Sequence, residues 1–339
     1  MTSNNLMPGS TQLYLHCGWP RTGTTSLQAF LAESREPLAA AGIDYPARWQ
    51  RKGRDNHNGL IDLLSSEDDG SHSPSASVRA FQDYARTHAD QVMVLSCEEL
   101  IFWRVTKGSR APLLDLLASF RQVGPLSCIA TLRRVDDLFS SIYLHHMLGQ
   151  QPLASPDQYF QRFRALTGPL IAAMQDLADS ADELTYAHYR PSGSHQEEIL
   201  ELLGIPADLR VQMQDRPRLN ARLTSKTVAV LLNIEAITAR AGVPIDSDSV
   251  RKLHWAGRLK FDEDMPCELL GTDLRRSLHE EALDLACEVG FTAYGEFFAG
   301  DEIVAPAPTP PDPGILSASD LDHLVCGLTS WDQANAEPR

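Results

Sequence analysis

Four short apolar runs alternate with longer segments of helical periodicity in the first 190 residues of the chain. The runs are QLYLHC at 12–17, QVMVLS at 91–96, LSCIATL at 126–132 and ELTYAHY at 183–189. Apolar strands that are separated by helices are typical of a parallel sheet covered on both faces. The pattern therefore predicts an α/β fold, a three-layer sandwich around a parallel sheet, with helical insertions.

The helical segments indicate where individual elements begin and end. The first helix is predicted to begin at Thr24–Thr25 with an apolar face, and Pro37 is expected to close it. A short segment after it is expected to end at Gly42, because glycine is favoured just beyond a helix C-terminus. Further helices are predicted from their apolar spacing at 196–205, 225–242 and 273–298.

The chain is expected to divide into a long domain, a linker and a tail. Residues 1–304 are predicted to form one α/β domain, in which 65–76 is a polar loop. Residues 305–314, APAPTPPDPG, are predicted to be a Pro-rich linker of extended character. Residues 315–339 carry an apolar stripe behind a Ser cap, which suits either a packed terminal helix or a docking segment. Packing is the preferred interpretation.

Composition and charge narrow the possible partners. The 339 residues are 43% apolar and 22% charged, as in ordinary globular proteins. Thirty Lys and Arg against 45 Asp and Glu give a net charge of −15. A nucleic-acid polymer is excluded as a general partner, because its phosphates would be repelled by such a surface. A local basic pocket for one small anion is compatible with this charge.

The chain ends and the cysteines bear on the cellular compartment. Residues 1–10 lack the basic and apolar regions of a secretory signal, and no apolar run approaches 18 residues. The six cysteines show no CxxC spacing, which disfavours a zinc or redox site. Cys17, Cys97 and Cys128 lie in or beside apolar runs and are expected to be buried thiols. We therefore expect a cytoplasmic protein without a transmembrane segment, a disulfide framework or a metal.

A phosphate-binding turn is predicted directly after the first strand. Gly18 and Gly23 are five residues apart, as in the GxxxxGK[ST] loop that turns backbone N–H groups toward a phosphate. Thr24 and Thr25 add hydroxyls at the start of the helix. Thr24 occupies the lysine position of that loop and the cation lies at Arg21, which makes the loop poorly suited to Mg·ATP. A turn that only caps the helix is the structural alternative.

A second basic element follows the apolar run at 126–132. Arg133 and Arg134 stand at the end of this buried strand, where open α/β sheets bind their ligands. Ser141 lies eight residues beyond Arg133, so a helix between them would bring both side chains to one phosphate. The alternative is that the arginines are solvated or pair with Asp136 and Asp137.

Together the two motifs resemble the sulfotransferase superfamily, whose sulfuryl donor is 3′-phosphoadenosine 5′-phosphosulfate (PAPS). Pro20-Arg21-Thr22-Gly23-Thr24-Thr25 is similar to the family's PKSGTT- or PRSGTT-type loop, which binds the 5′-phosphosulfate end. Arg133, Asp137 and Ser141 match the RxxxDxxxS pattern that binds the 3′-phosphate. The resemblance implies a fold of P-loop nucleotide-binding type, PAPS as donor, its desulfo-nucleotide PAP as product, and no metal.

Weaker similarities extend the resemblance to roughly residues 12–240. The segments at 38–46 and 218–237 look like parts of the bacterial carbohydrate-type branch. The segment at 184–205 looks like the strand and turn in which a family tyrosine contacts adenine; Tyr189 is the best match and Tyr186 the second. The family loop also implies a cofactor-binding role for Ser26. The RKGxxGDW loop of phenol and steroid sulfotransferases is not visible in the sequence.

The resemblance implies an in-line displacement, which needs a cation at the leaving oxygen and a base at the acceptor. Arg21 is expected to supply the cation. Glu98 follows the run at 91–96, roughly where cytosolic sulfotransferases carry their catalytic histidine, and Glu99 is its neighbour. His57 is a second candidate base, similar to a histidine of the bacterial branch. Helix capping is the structural alternative for Glu98, and a surface or capping role is the alternative for His57.

A basic cluster stands out in this acidic chain. It consists of Arg48, Arg51, Lys52 and Arg54, with Trp49 among them. The cluster is either a solvated charge run or a lip that attracts the donor or a sugar acceptor, with Trp49 stacking on the ring.

The function implied by the resemblance is sulfuryl transfer to a hydroxyl or amine of a carbohydrate, glycolipid or small metabolite. A P-loop kinase and a non-catalytic nucleotide-binding protein are the alternatives that the sequence leaves open. A homo-oligomer is compatible with the sequence.

Overall fold

The computed structural model describes most of the chain. The described residues are 11–62, 76–108, 110–148, 156–190, 193–214, 223–256, 259, 261, 267, 269–301, 303 and 316–335. The predicted polar loop at 65–76, apart from Ala76, and the predicted linker at 305–314 lie outside the described residues.

Five strands form a single parallel sheet in the described part of the chain. They are β1 (Gln12–Gly18), β2 (Ile43–Asp44), β3 (Val92–Ser96), β4 (Leu126–Leu132) and β5 (Glu183–His188), in the order β2-β3-β1-β4-β5. Every neighbouring pair is parallel, and the register places Leu15 beside both Leu95 and Cys128. The predicted α/β fold with a parallel sheet is confirmed. β2 was not predicted, because two residues are too few to give an apolar run.

Helices flank the sheet in sequence and account for most of the remaining described residues. The α-helices are α1 (Thr24–Glu33), α2 (Arg35–Ala40), α3 (Ala76–Thr87), α4 (Glu99–Lys107), α5 (Ala111–Arg121), α6 (Val135–Leu148), α7 (Pro156–Ser180), α8 (Ser194–Leu202), α9 (Ala207–Gln214), α10 (Ser225–Leu232), α11 (Ile234–Ala241), α12 (Ser247–Trp255), α13 (Thr272–Glu288), α14 (Thr292–Phe298) and α15 (Ala318–Asn335). A short 3₁₀ helix spans Asn58–Leu60.

The first helix begins where the sequence predicts and ends earlier. α1 starts at Thr24 and finishes at Glu33, before Pro37. Pro37 was expected to close this helix, but it is the third residue of α2. The backbone N–H groups at the start of a helix have no intrahelical acceptor, so α2 accommodates a proline there. Gly42 follows α2 with a φ of +78°, as predicted for a helix C-terminus.

Two predicted helices are each interrupted. The helix predicted at 225–242 is divided into α10 and α11 at Asn233, which has a φ of −127° and a ψ of 37°. The Asn233 Nδ2 atom donates to the Ala229 carbonyl at 3.0 Å, so the side chain competes with the backbone for this acceptor. The segment at 273–298 is likewise divided into α13 and α14, with Gly290 between them at a φ of +77°.

The chain divides into two compact units. The first consists of Met1–Val135, Arg164–Leu219 and Glu280–Asp301, and it contains the sheet. One of its core clusters joins α1, the sheet and α8 through Phe30, Ile129 and other fully buried side chains. This core holds the carboxyl ends of the strands and the start of α1 in a fixed arrangement.

The second unit consists of Asp136–Phe163, Asn220–His279 and Glu302–Arg339, and its described elements are mainly helices. In this unit α15 packs Leu324 and Leu328 into a cluster with side chains from α10, α11 and α12. Of the two alternatives for the tail, the structure therefore has the packed helix.

Two further properties bear on the sequence predictions. Among the described residues, none of the helices combines the length and hydropathy that a bilayer crossing requires. The six cysteines are free thiols, and Cys17, Cys97 and Cys128 are buried as predicted. Burial raises the pKa of each of these three thiols.

Candidate functional site

The loop after β1 lies at a topological switch point of the sheet. From β1 the chain continues to β2, on the β3 side of the sheet, whereas from β4 it continues to β5 on the other side. Ligands of open α/β sheets bind outside the carboxyl ends of such neighbouring strands. The residues at this point are the β1–α1 loop, here defined as residues 19–23, and Arg133 and Arg134 after β4.

The backbone of the β1–α1 loop is tightly curled. Gly18 has a φ of +134°, and a Cβ added to it would lie 2.5 Å from the Thr131 backbone, so only glycine fits there. Gly23 and Arg21 also have positive φ angles, +79° and +64°. For a side chain such as that of Arg21, this conformation costs about 1–2 kcal/mol. The loop must therefore be held by contacts that offset the cost.

The loop contains several donors without acceptors in the protein. In the described part of the chain, none of the N–H groups of residues 21–23 donates to a backbone or side-chain acceptor. The buried atoms Arg21 Nε and Trp19 Nε1 likewise have no hydrogen-bond partner among the described residues. The N–H groups of residues 21–23 lie just before the N-terminus of α1, whose dipole adds positive potential. The arrangement fits an anion with several oxygen acceptors, such as a phosphate or a sulfate.

Arg133 contacts the loop itself. Its Nη1 atom donates to the Arg21 carbonyl at 2.8 Å, and its guanidinium lies over the Tyr189 ring, 4.4 Å from the centroid. Arg134 pairs with Asp301 at 3.2 Å. Arg133 therefore joins the two strand ends at the switch point and places a cation beside the loop.

The other members of the predicted 3′-phosphate motif belong to the second unit. Ser141 is partly exposed on α6, and its pairing with Arg133 stays a prediction. Asp137 and its neighbour Asp136 both bind Arg275 of α13, with Arg275 Nε 2.7 Å from the Asp136 carboxylate. No local pattern in the sequence points to Arg275, because 139 residues separate it from Asp136.

Glu98 lies beside the loop at the end of β3. Its carboxylate accepts a hydrogen bond from the hydroxyl of Thr24, the first residue of α1. Burial raises the pKa of Glu98, while the Thr24 hydrogen bond and the charge of Arg21 partly oppose that rise. Glu99 is exposed and pairs with Arg51 at 3.4 Å. Of the two neighbouring carboxylates, Glu98 is the one joined to the loop.

His57 is fully buried, and both of its ring nitrogens form hydrogen bonds to backbone groups. The Ser96 N–H donates to Nδ1 at 2.9 Å, and Nε2 lies 2.7 Å from the Pro46 carbonyl, to which it donates. Burial lowers the pKa of His57 to about 4, so the ring is neutral at pH 7. This geometry does not support the prediction that His57 is a base, because its ring links the end of β3 to the segment at Pro46.

The remaining predicted residues lie at or near the same edge. Thr25 is exposed in the first turn of α1, whereas Pro20 and Ser26 are partly exposed. Thr22 is buried, and its hydroxyl donates to the Trp19 carbonyl at 2.8 Å within the loop. Tyr186 packs against Phe291 with their centroids 5.4 Å apart, which leaves Tyr189, under Arg133, as the better-placed tyrosine.

A buried polar network that the sequence does not predict lies beneath the loop. His16 of β1 lies 2.9 Å from the Ser96 hydroxyl of β3 and 3.3 Å from the Thr131 hydroxyl of β4. Gln28 of α1 donates to the same Ser96 hydroxyl at 3.0 Å. Burial lowers the pKa of His16 to about 4. The network joins three adjacent strand ends, and a histidine in an apolar run gives no sign of this role.

The basic cluster is largely exposed, but its aromatic residue is packed. The Trp49 ring lies 5.1 Å from Phe81 and 5.2 Å from Tyr84, with the Arg48 guanidinium 5.5 Å from its centroid. Arg51 pairs with two acidic side chains. The cluster borders an open depression of about 390 Å³. Trp49 therefore contributes to the wall of this surface, with its ring in contact with other aromatic side chains.

Comparison with known proteins gives no family assignment. The chain matches no protein-family model, and no curated protein matches its sequence. Within the described residues, no group of three or more His, Cys, Asp or Glu side chains is arranged to hold a metal ion.

Proposed function

We propose that the protein is a PAPS-dependent sulfotransferase of P-loop nucleotide-binding type. It would transfer a sulfuryl group to a hydroxyl or amine of a carbohydrate, glycolipid or small metabolite. One observation carries the proposal: a curled loop at the switch point presents unpartnered backbone donors beside the partly buried carboxyl group of Glu98. The donors suit the phosphosulfate, and the carboxyl group suits the acceptor.

In this proposal the loop binds the 5′ end of the donor. The N–H groups of the loop and of the N-terminus of α1 donate to its oxygens, and Arg21 stabilises the charge that develops on the leaving oxygen. An arginine stays protonated throughout, so Arg21 acts electrostatically and does not supply a proton. Thr25 and Ser26 lie in the first turn of α1, where their hydroxyls are suited to the same phosphate.

Glu98 is the proposed base. An acceptor oxygen attacks sulfur, the bond between sulfur and the 5′-phosphate oxygen breaks, and the acceptor proton passes to Glu98 while PAP leaves. A carboxylate with a raised pKa is a better proton acceptor than an ordinary one near neutral pH. Thr24 holds this carboxylate at the loop.

The far end of the nucleotide is assigned to Arg133, Ser141 and Tyr189. A guanidinium has five N–H donors, so Arg133 can bind the Arg21 carbonyl and also a 3′-phosphate. Tyr189 is proposed to contact adenine. These three assignments rest on the motif spacing.

A P-loop kinase is the alternative of a different class. Such enzymes require a lysine at the position of Thr24 to neutralise the β- and γ-phosphates. Here the side chain at that position donates to Glu98 and carries no charge. The proposal therefore favours a donor with a single 5′-phosphosulfate over Mg·ATP.

Thermal unfolding with PAP, AMP and ATP·Mg²⁺ side by side tests the proposal. Ligand at 100 times its Kd stabilises a protein by about 2.7 kcal/mol, so PAP is expected to raise Tm the most. R21M should lose most of this shift. R86M is the matched control, since it removes an equally charged but exposed side chain of α3, outside the loop and the basic cluster. A larger shift with ATP·Mg²⁺ than with PAP would contradict the proposal and support the kinase.

A further inference from the structure

Three consecutive carbonyls of the β1–α1 loop accept hydrogen bonds from side chains outside the loop. The carbonyl of residue 21 accepts from Arg133 Nη1 at 2.8 Å. The carbonyl of residue 22 accepts from His195 Nε2 at 2.9 Å, and that of residue 23 from Gln196 Nε2 at 2.7 Å. His195 and Gln196 come from the first turn of α8, 173 residues away in sequence. No motif in the sequence points to either of them.

The hydrogen bond at His195 Nδ1 shows that Nε2 is the nitrogen that donates. The Arg190 N–H donates to Nδ1 at 3.2 Å, so Nδ1 carries no hydrogen and Nε2 carries one. The side chain is buried, and the Tyr189 ring packs edge-on against it with centroids 5.0 Å apart. Its position is fixed from both sides, and Nε2–H has a single direction in which to donate.

These three hydrogen bonds to the loop carbonyls, here called the tethers, determine where the loop N–H groups point. A trans peptide is planar, so its C=O and the N–H of the following residue lie on opposite sides. Holding the carbonyls of residues 21–23 therefore directs the N–H groups of residues 22–24 to the opposite face of the loop. Among the described residues, none of these N–H groups has an acceptor in the loop or its neighbours. A flip of any of the three peptides would turn a carbonyl toward the anion.

We propose that His195 and Gln196 are positioning residues that, with Arg133, lock the loop in its anion-binding conformation. They touch no substrate and act through the backbone. The identity of the anion, PAP, rests on the proposed function, whereas the tethering of the loop does not. The tethers also offset the cost of the left-handed conformation at Arg21.

Limited trypsin digestion without nucleotide tests the tether directly. Cleavage after Arg21 requires the loop to open, whereas the exposed segment at 51–54 provides reference sites in the same chain. H195Q keeps an N–H donor at a similar reach, and H195M has a similar length without one. We expect cleavage after Arg21, relative to the reference, to be about 10-fold faster in H195M than in H195Q, as one lost hydrogen bond predicts. Equal rates in the two variants would overturn the inference.

Calorimetric titration with PAP links the tether to binding. We expect the Kd for PAP to rise about 10-fold in H195M, and to stay within about twofold of the wild type in H195Q. Q196M, at the partly exposed neighbouring position, should show a similar rise without a change in Tm. If PAP binds the wild type and H195M equally well, the inference fails. If PAP does not bind the wild type, the proposed function fails, and the cleavage rates alone decide the inference.

Discussion

Buried polar side chains are satisfied in different ways around the loop of the first unit and at the terminal helix of the second. In the first unit His16 and His195 lie beneath and beside the loop, where both are neutral and hydrogen-bonded to backbone or hydroxyl groups. In the second unit the described buried polar groups include ion pairs, such as Lys226 with Asp320 at 2.8 Å. An ion pair satisfies its own charges, whereas the histidines support a loop whose donors are left for a ligand. Buried polarity therefore serves binding around the loop and stability at the terminal helix. The first unit also contains an ion pair of the stabilising kind, Arg104 with Asp176 at 2.9 Å.

The Lys226–Asp320 pair also fixes the terminal helix. The Asp320 carboxylate accepts from the Ser317 N–H at 2.8 Å, and the Asp320 N–H donates to the Ser317 hydroxyl at 3.1 Å. This reciprocal cap satisfies two donors at the start of α15. The same carboxylate thus joins the helix start to Lys226 on α10.

The largest effect is expected from D320A. Removing one partner of a buried ion pair leaves the other charge uncompensated, which costs about 3–5 kcal/mol. Urea unfolding should show this loss, whereas D322A, at an exposed position two residues along α15, should lie within about 0.5 kcal/mol of the wild type. The affinity for PAP should not change in either variant. A loss below about 1 kcal/mol in D320A would remove the distinction between the loop and the terminal helix.

The second prediction concerns the first unit and affects activity without affecting stability. E98Q should reduce PAP release from PAPS in the presence of an acceptor by about 10²–10⁴-fold, as loss of a general base does. Its free energy of unfolding should stay equal or rise, because burial disfavours the charged form of Glu98. E99Q is the matched control, at an exposed neighbour. Loss of activity in E99Q with retention in E98Q would reverse the assignment.

The third prediction is that stability falls between about pH 6.5 and pH 4. The pKa values of His16 and His57 are lowered to about 4 in the folded protein, so only the unfolded chain takes up these protons in that range. Each histidine then contributes up to about 3 kcal/mol, present above pH 6.5 and lost by pH 4. Glu98 has a raised pKa and changes stability in the opposite direction. On acidification the folded protein takes up this proton before the unfolded chain does, which adds stability.

Urea unfolding at pH 7 and at pH 4.5 measures this dependence. H57Q should be less stable than the wild type at pH 7, and its stability should fall less on acidification. If the free energy of unfolding of H57Q falls between pH 7 and pH 4.5 as much as that of the wild type, His57 is not held neutral by burial.

The smallest effect is expected at the contact between the loop and Glu98. T24A removes the hydroxyl that stabilises the ionised carboxylate, so the pKa of Glu98 should rise further. The acidic limb of the pH profile of kcat/KM should move upward by about one pH unit, as loss of one charge-assisted hydrogen bond implies. T24S keeps the hydroxyl and should retain the wild-type limb. If the acidic limb of the kcat/KM profile lies at the same pH in T24A and in the wild type, Glu98 is not the base.

The sequence predicts local features of this site well. The apolar runs mark four strands, and the Gly18–Gly23 spacing marks the loop, because both depend on residues close together in the chain. The two-residue strand β2 is too short to leave a pattern. At Asn233 the helical period continues through the break, so the competition of its side chain for a backbone carbonyl is invisible in sequence.

Contacts that support the site from a distance were not predictable. His195 reaches the loop across 173 residues, and His16 meets Thr131 across 115. His57 presents the opposite problem, since a catalytic histidine and one that binds backbone look alike in sequence. Only the burial of His57 and its two backbone partners distinguish these roles.

Competitive calorimetry with PAP, AMP and ATP·Mg²⁺ on the wild-type protein tests the central claim most directly. The account predicts that PAP binds without metal and at least about 30-fold more tightly than AMP, since the 3′-phosphate adds charge-assisted hydrogen bonds. ATP·Mg²⁺ should bind no more tightly than AMP. Tighter binding of ATP·Mg²⁺ than of PAP would contradict the account.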